Sequence, residues 1–552
     1  MTQSNRNTFT RRAAMAGGAV VVAGAGAFAF KGRSSRGFTL SAADGKTLNR
    51  GNGAEPDTLD PHKAQGQWEY NIIGDMFLGL TTEDQAGNAM PGAAESYSVS
   101  ADGLICTFKI RDHNWSDGVP VTAHDFVFSF RRIADPKFAA QYVSILYPIK
   151  NMKAASSGKV PPDQVGVRAV DDRTLEIQFE VQVPYVAQLL THFAAYGVPK
   201  HVVEKYGDAW LLPQNIVVNG PYTLGEWRPN DHIRLVKNKH FYDAAKVEIE
   251  NVFFYPTPDA EAALKRMRGG EFDLLDDSLP PQKIDWLKEN MAKELRLTPY
   301  ILSRYVQFNV KRKPFDDIRV RTALSLAIQR EIMCSRVERA GEQPAYAMIP
   351  PGMPGYPKTP RVPFKTMPMA ARIAKAKQLL AEAGFGPDNP LSFDYAMILN
   401  SETKLVSIAL QEMWRQVGVN VRLVPSDTQI HYANLRSHQF DVAWSGWVAD
   451  YRDPMNFLFL FESTVTDMNY GTYANPKFDA LMIQAHHTRD AAARLEILAQ
   501  AEQIVLDDAA IAPVFFGVTR DLVSPQVKGW ISNNININRT RFLSLDRTIT
   551  LV

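Results

Sequence analysis

The chain has 552 residues, 45% hydrophobic and 22% charged, with 34 Gly and 34 Pro. That length exceeds one ordinary core, so two or three domains are expected. The composition excludes a disordered, collagen-like or disulfide-stapled chain. A formal charge of +2, from 61 Lys and Arg against 59 Asp and Glu, argues against a generic nucleic-acid binder. The two cysteines, Cys106 and Cys334, are too few for a disulfide framework, a zinc ribbon or an iron–sulfur cluster.

Residues 1–43 contain no Asp or Glu. Arg6, Arg11 and Arg12 precede an uncharged run of 18 residues, 13–30, that is mostly Ala, Gly and Val. Positive, apolar and then polar sequence is the order of an export signal. Thr10-Arg11-Arg12 resembles a twin-arginine signal, although Ala13-Ala14-Met15 replace the usual Phe-Leu. Ala27-Phe28-Ala29 offers a small-x-small cleavage site. The alternative is an uncleaved anchor, for which the glycines make a poor helix. Residues 1–40 carry six cations; without them 55 cations face 59 anions, a net charge of −4. No other stretch approaches 18 apolar residues and no Cys stands near the signal for a lipid anchor, so the expected compartment is the periplasm.

The body opens with a short strand at 46–50, ended by Gly51 and Gly53. Helical spacing of Trp68, Ile72, Met76, Phe77 and Leu80 predicts a helix over 68–80. In 105–111 the alternation puts Cys106, Phe108 and Ile110 on one buried face, which makes Cys106 a small hydrophobe. Thr122 and Asp125 form a capping box ahead of Phe126, Val127, Phe130 and Ile133. Hairpins are predicted over 165–180 and 222–237, then a helix over 260–267 and a strand over 272–275. From about 300 the pattern alternates. Strand 305–308 leads to helix 320–337, helix 371–383 to strand 391–395, helix 405–416 to strand 420–424, and helix 429–436 to strand 440–444. Such βαβ units predict a sheet that is at least partly parallel. Helices over 477–487 and 491–507 follow, with strand character at Val514-Phe515-Phe516 and over 543–551.

Few motifs carry chemistry. Ser401-Glu402-Thr403-Lys404 has the S-x-x-K spacing of a serine hydrolase, but K-T-G and S-D-N partners are missing, and Asn400-Ser401 reads better as a helix cap. No nucleophile elbow, zinc-protease motif or phosphate loop occurs. Adjacent His486 and His487 point about 100° apart on a helix and do not face one metal. Asp276-Asp277 ends a strand; a polar strand end is preferred to a cation site. The informative stretch is 440–454, FDVAWSGWVADYRDP. A strand ends in Trp444-Ser445-Gly446-Trp447 and is followed by Asp450. The Gly lets another backbone approach, Trp447 supplies a rigid wall, and a carboxylate past the strand end suits a cation such as an α-ammonium.

These residues belong to a wider pattern. Leu59-Asp60-Pro61-His62, the run from Ala94-Glu95-Ser96 through Trp115-Ser116-Asp117-Gly118 to Asp125-Phe126-Val127, Asn219-Gly220-Pro221-Tyr222, and Pro314-Phe315-Asp316-Asp317 through Arg321 make up most of it. With Gly446-Trp447 to Ala449-Asp450-Tyr451, the sequence resembles the family 5 solute-binding proteins of bacterial ABC importers, their peptide-binding members in particular. The resemblance covers nearly the whole chain after the signal. It implies an α/β, two-lobed periplasmic-binding-protein fold, the Venus-flytrap type of the large class with an extra inserted domain. Lobe I would hold 41–77, 200–301 and 518–552, the inserted domain 78–199 and lobe II 302–517, after an export signal over 1–40.

The resemblance implies closure of the lobes around an extended peptide gripped through its backbone. Asp450 matches the residue that meets the peptide α-ammonium. Gly446, Trp447 and Val448 match the strand along the peptide, Gln67 an opposing contact, and Phe128 an aromatic of the inserted domain where Tyr is frequent. There are departures. Arg436 resembles a carboxylate-binding Arg but is one residue short of its usual distance from Phe440, and Trp444 stands where a second Arg is found. The loop at 400–404, with Asn400, lacks the family's His, and Asp276-Asp277 replaces amides, leaving Asp277 a candidate contact. The expected protein is a monomeric receptor that delivers a peptide or peptide-like ligand with a free amine to a membrane permease and its ATPase subunits. No catalysis, cofactor, metal or nucleic acid is expected. The changed contacts favour a modified, cell-wall or cationic peptide. Alternatives are a dipeptide, glutathione, an opine-like amine or a nickel chelate on the same fold, and, further off, a hydrolase using Ser401 and Lys404.

Overall fold

A computed structural model describes residues 45–276, 279–466 and 468–548. The export signal and Asp277 lie outside these residues. One eleven-stranded sheet runs through the body. Its order is Asn420–Ser426, Ser392–Ile398, Val442–Val448, Leu295–Phe308, Ile511–Val523, Leu274–Leu275, Thr47–Gly51, Asn251–Tyr255, His232–Lys237 and Tyr222–Arg228, with Gln343–Pro344 added on Ile511–Val523. The expected parallel pairing is present. Ser392–Ile398 is parallel to both of its neighbours, as is Thr47–Gly51 to Asn251–Tyr255 and Leu274–Leu275.

Two long antiparallel strands, of 14 and 13 residues, form the centre of this sheet. Leu295–Phe308 pairs with Ile511–Val523 along its length and with Val442–Val448 at its C-terminal end. The register shifts between Pro299 and Ser303 and again between Arg304 and Tyr305. Such bulges bend a strand and increase its twist. Only 305–308 of the first strand was predicted. The preceding residues are mostly half-buried, and without a clean inside-outside alternation a strand leaves little trace in sequence.

A separate four-stranded antiparallel sheet comprises Ala94–Val99, Ile105–Ile110, Thr174–Gln178 and Val167–Asp171. Cys106, Phe108 and Ile110 are buried, as their alternation requires. Helix Ala123–Ile133 packs beside this sheet, with Asp125 accepting from both the amide and the hydroxyl of Thr122. The sheet falls inside the segment 78–199.

Helix ends differ from prediction for identifiable reasons. The first helix, Gln67–Met76, stops before Phe77 because the buried Asn219 amide takes over the backbone of Leu78, accepting from its N–H at 2.9 Å and donating to its carbonyl at 3.2 Å. The predicted helix 320–337 is broken. Ile318–Ala327 ends at an extended Ile328, and the chain resumes at Arg330–Ile332 and a wider turn, Met333–Glu338. Arg330 is fully buried at this break and donates to the carbonyls of Ser325, Ile328, Ala345 and Pro513, satisfying groups that a continuous helix or sheet would have paired.

Burial is concentrated in two large apolar clusters. One includes Ile72, Phe77, Trp115, Phe126 and Trp210 together with Phe457, Leu458 and Phe478. The other includes Val306, Leu324, Tyr395, Val406, Trp414 and Phe515. Trp414 is fully buried, edge-on to Phe393 and Tyr395, and donates to the Leu324 carbonyl at 3.0 Å. Truncating such a side chain typically costs about 3–5 kcal/mol. No helix among the described residues is long and apolar enough to cross a membrane.

Candidate ligand-binding site

The segment following strand Val442–Val448 builds the site. Ala449 is buried and its N–H donates to the Ile301 carbonyl at 3.0 Å, which ties the strand end to the first long central strand. Asp450 comes next, then a tight loop to helix Met455–Leu458. The loop is fixed from both ends. Asp453 accepts from the Met455 N–H at 2.9 Å and holds Arg494 through both oxygens, at 2.8 and 2.9 Å. Asn456, only 2% exposed, joins the functional groups. Its Oδ1 accepts from Trp447 Nε1 at 2.8 Å and from the Asp450 N–H at 3.0 Å, while its Nδ2 donates to Asp450 Oδ2 at 3.1 Å.

Across from Asp450 lies His192. Its Nδ1 accepts from the Ala194 N–H at 3.2 Å, so Nε2 carries the proton. That Nε2 is 3.8 Å from Asp450 Oδ1. Burial lowers the imidazole pKa to about 3, so His192 is neutral. Burial also raises the Asp450 carboxyl to about 6, with the Asn456 hydrogen bond acting in the opposite direction. Asp450 has no Lys or Arg within 4.0 Å among the described residues. The result is a fixed, partly desolvated carboxylate with no Lys or Arg within ion-pair distance among the described residues.

Asp450 and Trp447 line a cavity of about 240 Å³. Its opposite wall comes from 142–153 and from Glu180, Val181 and Tyr185. Tyr185 stacks on Tyr451 with ring centres 4.6 Å apart and planes at 6°, and Arg494 lies 5.5 Å from the Tyr185 ring. These contacts join the cavity walls beside Asp450. No group of three metal-ligating side chains exists among the described residues.

A family model, bacterial extracellular solute-binding proteins, family 5, matches residues 88–469. The periplasmic oligopeptide-binding protein OppA of Salmonella typhimurium is 39% identical over 495 residues, 89% of this chain and 91% of that protein. The periplasmic murein peptide-binding protein MppA of Escherichia coli is 35% identical over 496 residues, again 89% and 91% of the two chains. A solved structure of Haemophilus influenzae OppA in complex with the peptide RPPGFSPFR superposes with a TM-score of 0.82 at 34% identity, covering 91% of this chain and 99% of that one. The chain belongs to the family 5 solute-binding proteins. It shares their mixed α/β, two-lobed fold, and the family and these relatives are binding proteins rather than enzymes.

Within this solute-binding protein the sequence-derived candidates separate. Asp450 and Trp447 come together at the cavity; the others are not among its described lining residues. Trp444 is 3% exposed and packs 5.9 Å from Phe515 in the core. Three positions apart on a strand, Trp444 and Trp447 point to opposite faces, so one faces the core and the other the cavity. A Cβ on Gly446 would lie 2.8 Å from Arg304 Cδ and 3.1 Å from the Ser303 carbonyl, so the Gly makes room for the neighbouring strand. Val448 is exposed at the strand end, opposite Leu302. Arg436 is exposed at the end of helix Thr428–Arg436. Gln67 is exposed, and its amide donates to Asn71 at 3.2 Å. Phe128 is half-buried against the core. Asn400 is exposed and caps helix Ser401–Arg415 through the Thr403 N–H at 2.8 Å. Asp276 pairs with Arg50 at 2.9 Å, which agrees with a polar strand end. Ser401 and Lys404 are exposed on the first turn of their helix.

Sequence reasoning missed Asn456, His192, Tyr142 and Tyr185. Asp453-Pro454 starting a helix could have directed attention to Asn456, in its first turn. Nothing local marks the other three, which the fold carries in from more than 250 positions away.

Proposed function

We propose that this protein is the periplasmic receptor of an ABC importer and captures peptides through a free N-terminal ammonium. The observation that carries the reading is Asp450: half-buried, oriented by Asn456, lining a cavity, and with no Lys or Arg within 4.0 Å among the described residues. An ammonium supplied by ligand would convert a costly buried charge into a charge-assisted pair. The peptide-binding relatives support the cargo class, and their periplasmic names agree with the export-signal pattern of 1–40. The protein does no covalent chemistry. It acts as a monomer and hands its ligand to a membrane permease driven by ATPase subunits.

Calorimetric titration with a free-amine tripeptide and its N-acetyl form tests this. Acetylation, or Asp450→Asn in the receptor, is expected to weaken binding about ten- to hundredfold, the worth of one hydrogen-bonded charge. Equal affinity for the two forms refutes the reading. A murein tripeptide in the same series separates a cell-wall cargo, favoured by the likeness to MppA, from a general peptide cargo.

A further inference from the structure

The cavity holds more acid than one ammonium neutralises. Glu462 and Glu180 line it besides Asp450, against a single ammonium, Lys153, and the imidazole of His486. Burial lowers His486 to about 4, so it adds no charge at neutral pH. With all three carboxylates ionised, acid exceeds base in the chamber by two charges. Lys153 is exposed at the cavity wall: its ammonium donates to the Thr464 carbonyl at 3.4 Å and lies 5.6 Å from the Tyr147 ring, rather than pairing with a carboxylate within 4.0 Å among the described residues. The Glu462 carboxylate accepts no hydrogen bond and forms no ion pair within 4.0 Å among the described residues. Desolvation and then the charge of Asp479 push it up to about 7, with Lys153 opposing.

The walls suit a cation on an apolar stem. Tyr142, Tyr147, Tyr185, Trp447, Tyr451 and Phe459 surround the space. Aromatic faces attract ammonium and guanidinium groups, and the stems of long basic side chains pack on them. A volume of about 240 Å³ is below the roughly 300–1,000 Å³ of pockets that enclose a drug-sized ligand. The chamber therefore accommodates one end of a peptide, not the whole. Asp450 and Glu462 line the same space from the loop after strand Val442–Val448 and from the end of the short helix that follows. Two carboxylates on one chamber offer places for two cations of one residue.

We propose that the chamber selects peptides whose first residue has a basic side chain, lysine-, ornithine- or arginine-like, with its α-ammonium on Asp450 and its side-chain cation on Glu462. This rests on the peptide-receptor reading above and adds the identity of the first residue. An uncharged first residue would leave Glu462 unpaired, and an acidic one would add negative charge to a negative chamber.

Titration of the full chain with Lys-Ala-Ala, Arg-Ala-Ala, Ala-Ala-Ala and Glu-Ala-Ala tests the proposal. Lys and Arg peptides are expected to bind at least about tenfold tighter than Ala-Ala-Ala, and Glu-Ala-Ala weakest. Glu462→Gln is expected to bring the Lys-to-Ala ratio within about twofold. The wild-type ratio is informative without any variant. Ala-Ala-Ala binding as tightly as Lys-Ala-Ala overturns the basic preference and leaves the receptor reading standing. A preference that survives Glu462→Gln in a folded variant removes Glu462 from the site and overturns the proposal. Failure of all four peptides to bind the folded wild-type chain overturns both readings.

Discussion

Removing a carboxylate from water raises its pKa, and at Asp450 that rise decides when the site is charged. Unfolded, the group titrates near 3.8; in the ligand-free native protein burial moves it to about 6. The native state thus holds this proton more firmly than the unfolded chain. The stability from that difference is fully present below pH 3.8 and is lost as pH rises through about 6. Ligand capture has the opposite sign, because an α-ammonium needs the carboxylate and a proton competes with it. Affinity for a free-amine peptide with an uncharged first side chain is expected to fall about tenfold per pH unit below 6 and to be flat near neutrality. The groups facing Asp450 do not interfere. His192 is neutral with a pKa of about 3, the Tyr142 phenol is raised by burial, and Asn456 and Trp447 do not titrate. Glu462, at about 7, shares the cavity, which is why the probe should lack a basic side chain. Titrations at pH 5, 6 and 7 read the slope, and a flat profile counts against Asp450 as the anchor.

At the scale of elements, the loop from Val448 to Met455 ties the two walls of the cavity together. Asp450 and Tyr451 are adjacent and both line the cavity, and Tyr451 also stacks on Tyr185 from a distant segment. Asp453 grips Arg494, which lies against the same Tyr185 ring, so three short contacts hold two walls together. Aromatic stacking of this kind contributes about 0.5–1.5 kcal/mol beyond area burial. Tyr185→Ala is therefore expected to speed ligand dissociation about two- to tenfold, with a smaller effect on association. Stopped-flow tryptophan fluorescence measures this, since Trp447 lines the cavity. An unchanged dissociation rate would show that the stack does not bear on the bound state.

For the whole molecule, the sheet continues through the two long central strands, and their register shifts are irregularities of the kind at which strands bend. A bend carried by two adjacent strands is a natural hinge, because few dihedrals must change for the parts on either side to rotate. Ligand addition is expected to lower the radius of gyration, which scales to about 24 Å for a chain of this length. Small-angle X-ray scattering with and without a bound tripeptide reads this directly. No change on saturation would mean that capture occurs without closure.

Residue order alone determined the family, the βα alternation after 300, and Asp450 beside Trp447, because each is written in contiguous residues. Periodicity, caps and a strand-end carboxylate are local facts, and local facts survive in one dimension. Tertiary structure decided which face of a strand meets the cavity, sending Trp444 to the core and Trp447 to the cavity. It replaced helix termination signals with Asn219 and Arg330, whose side chains satisfy distant backbone. It also assembled the cavity from Tyr142, Tyr185, Asn456 and Glu462. Desolvation, the force that tunes Asp450, depends on everything packed around a group, and no stretch of sequence contains that information.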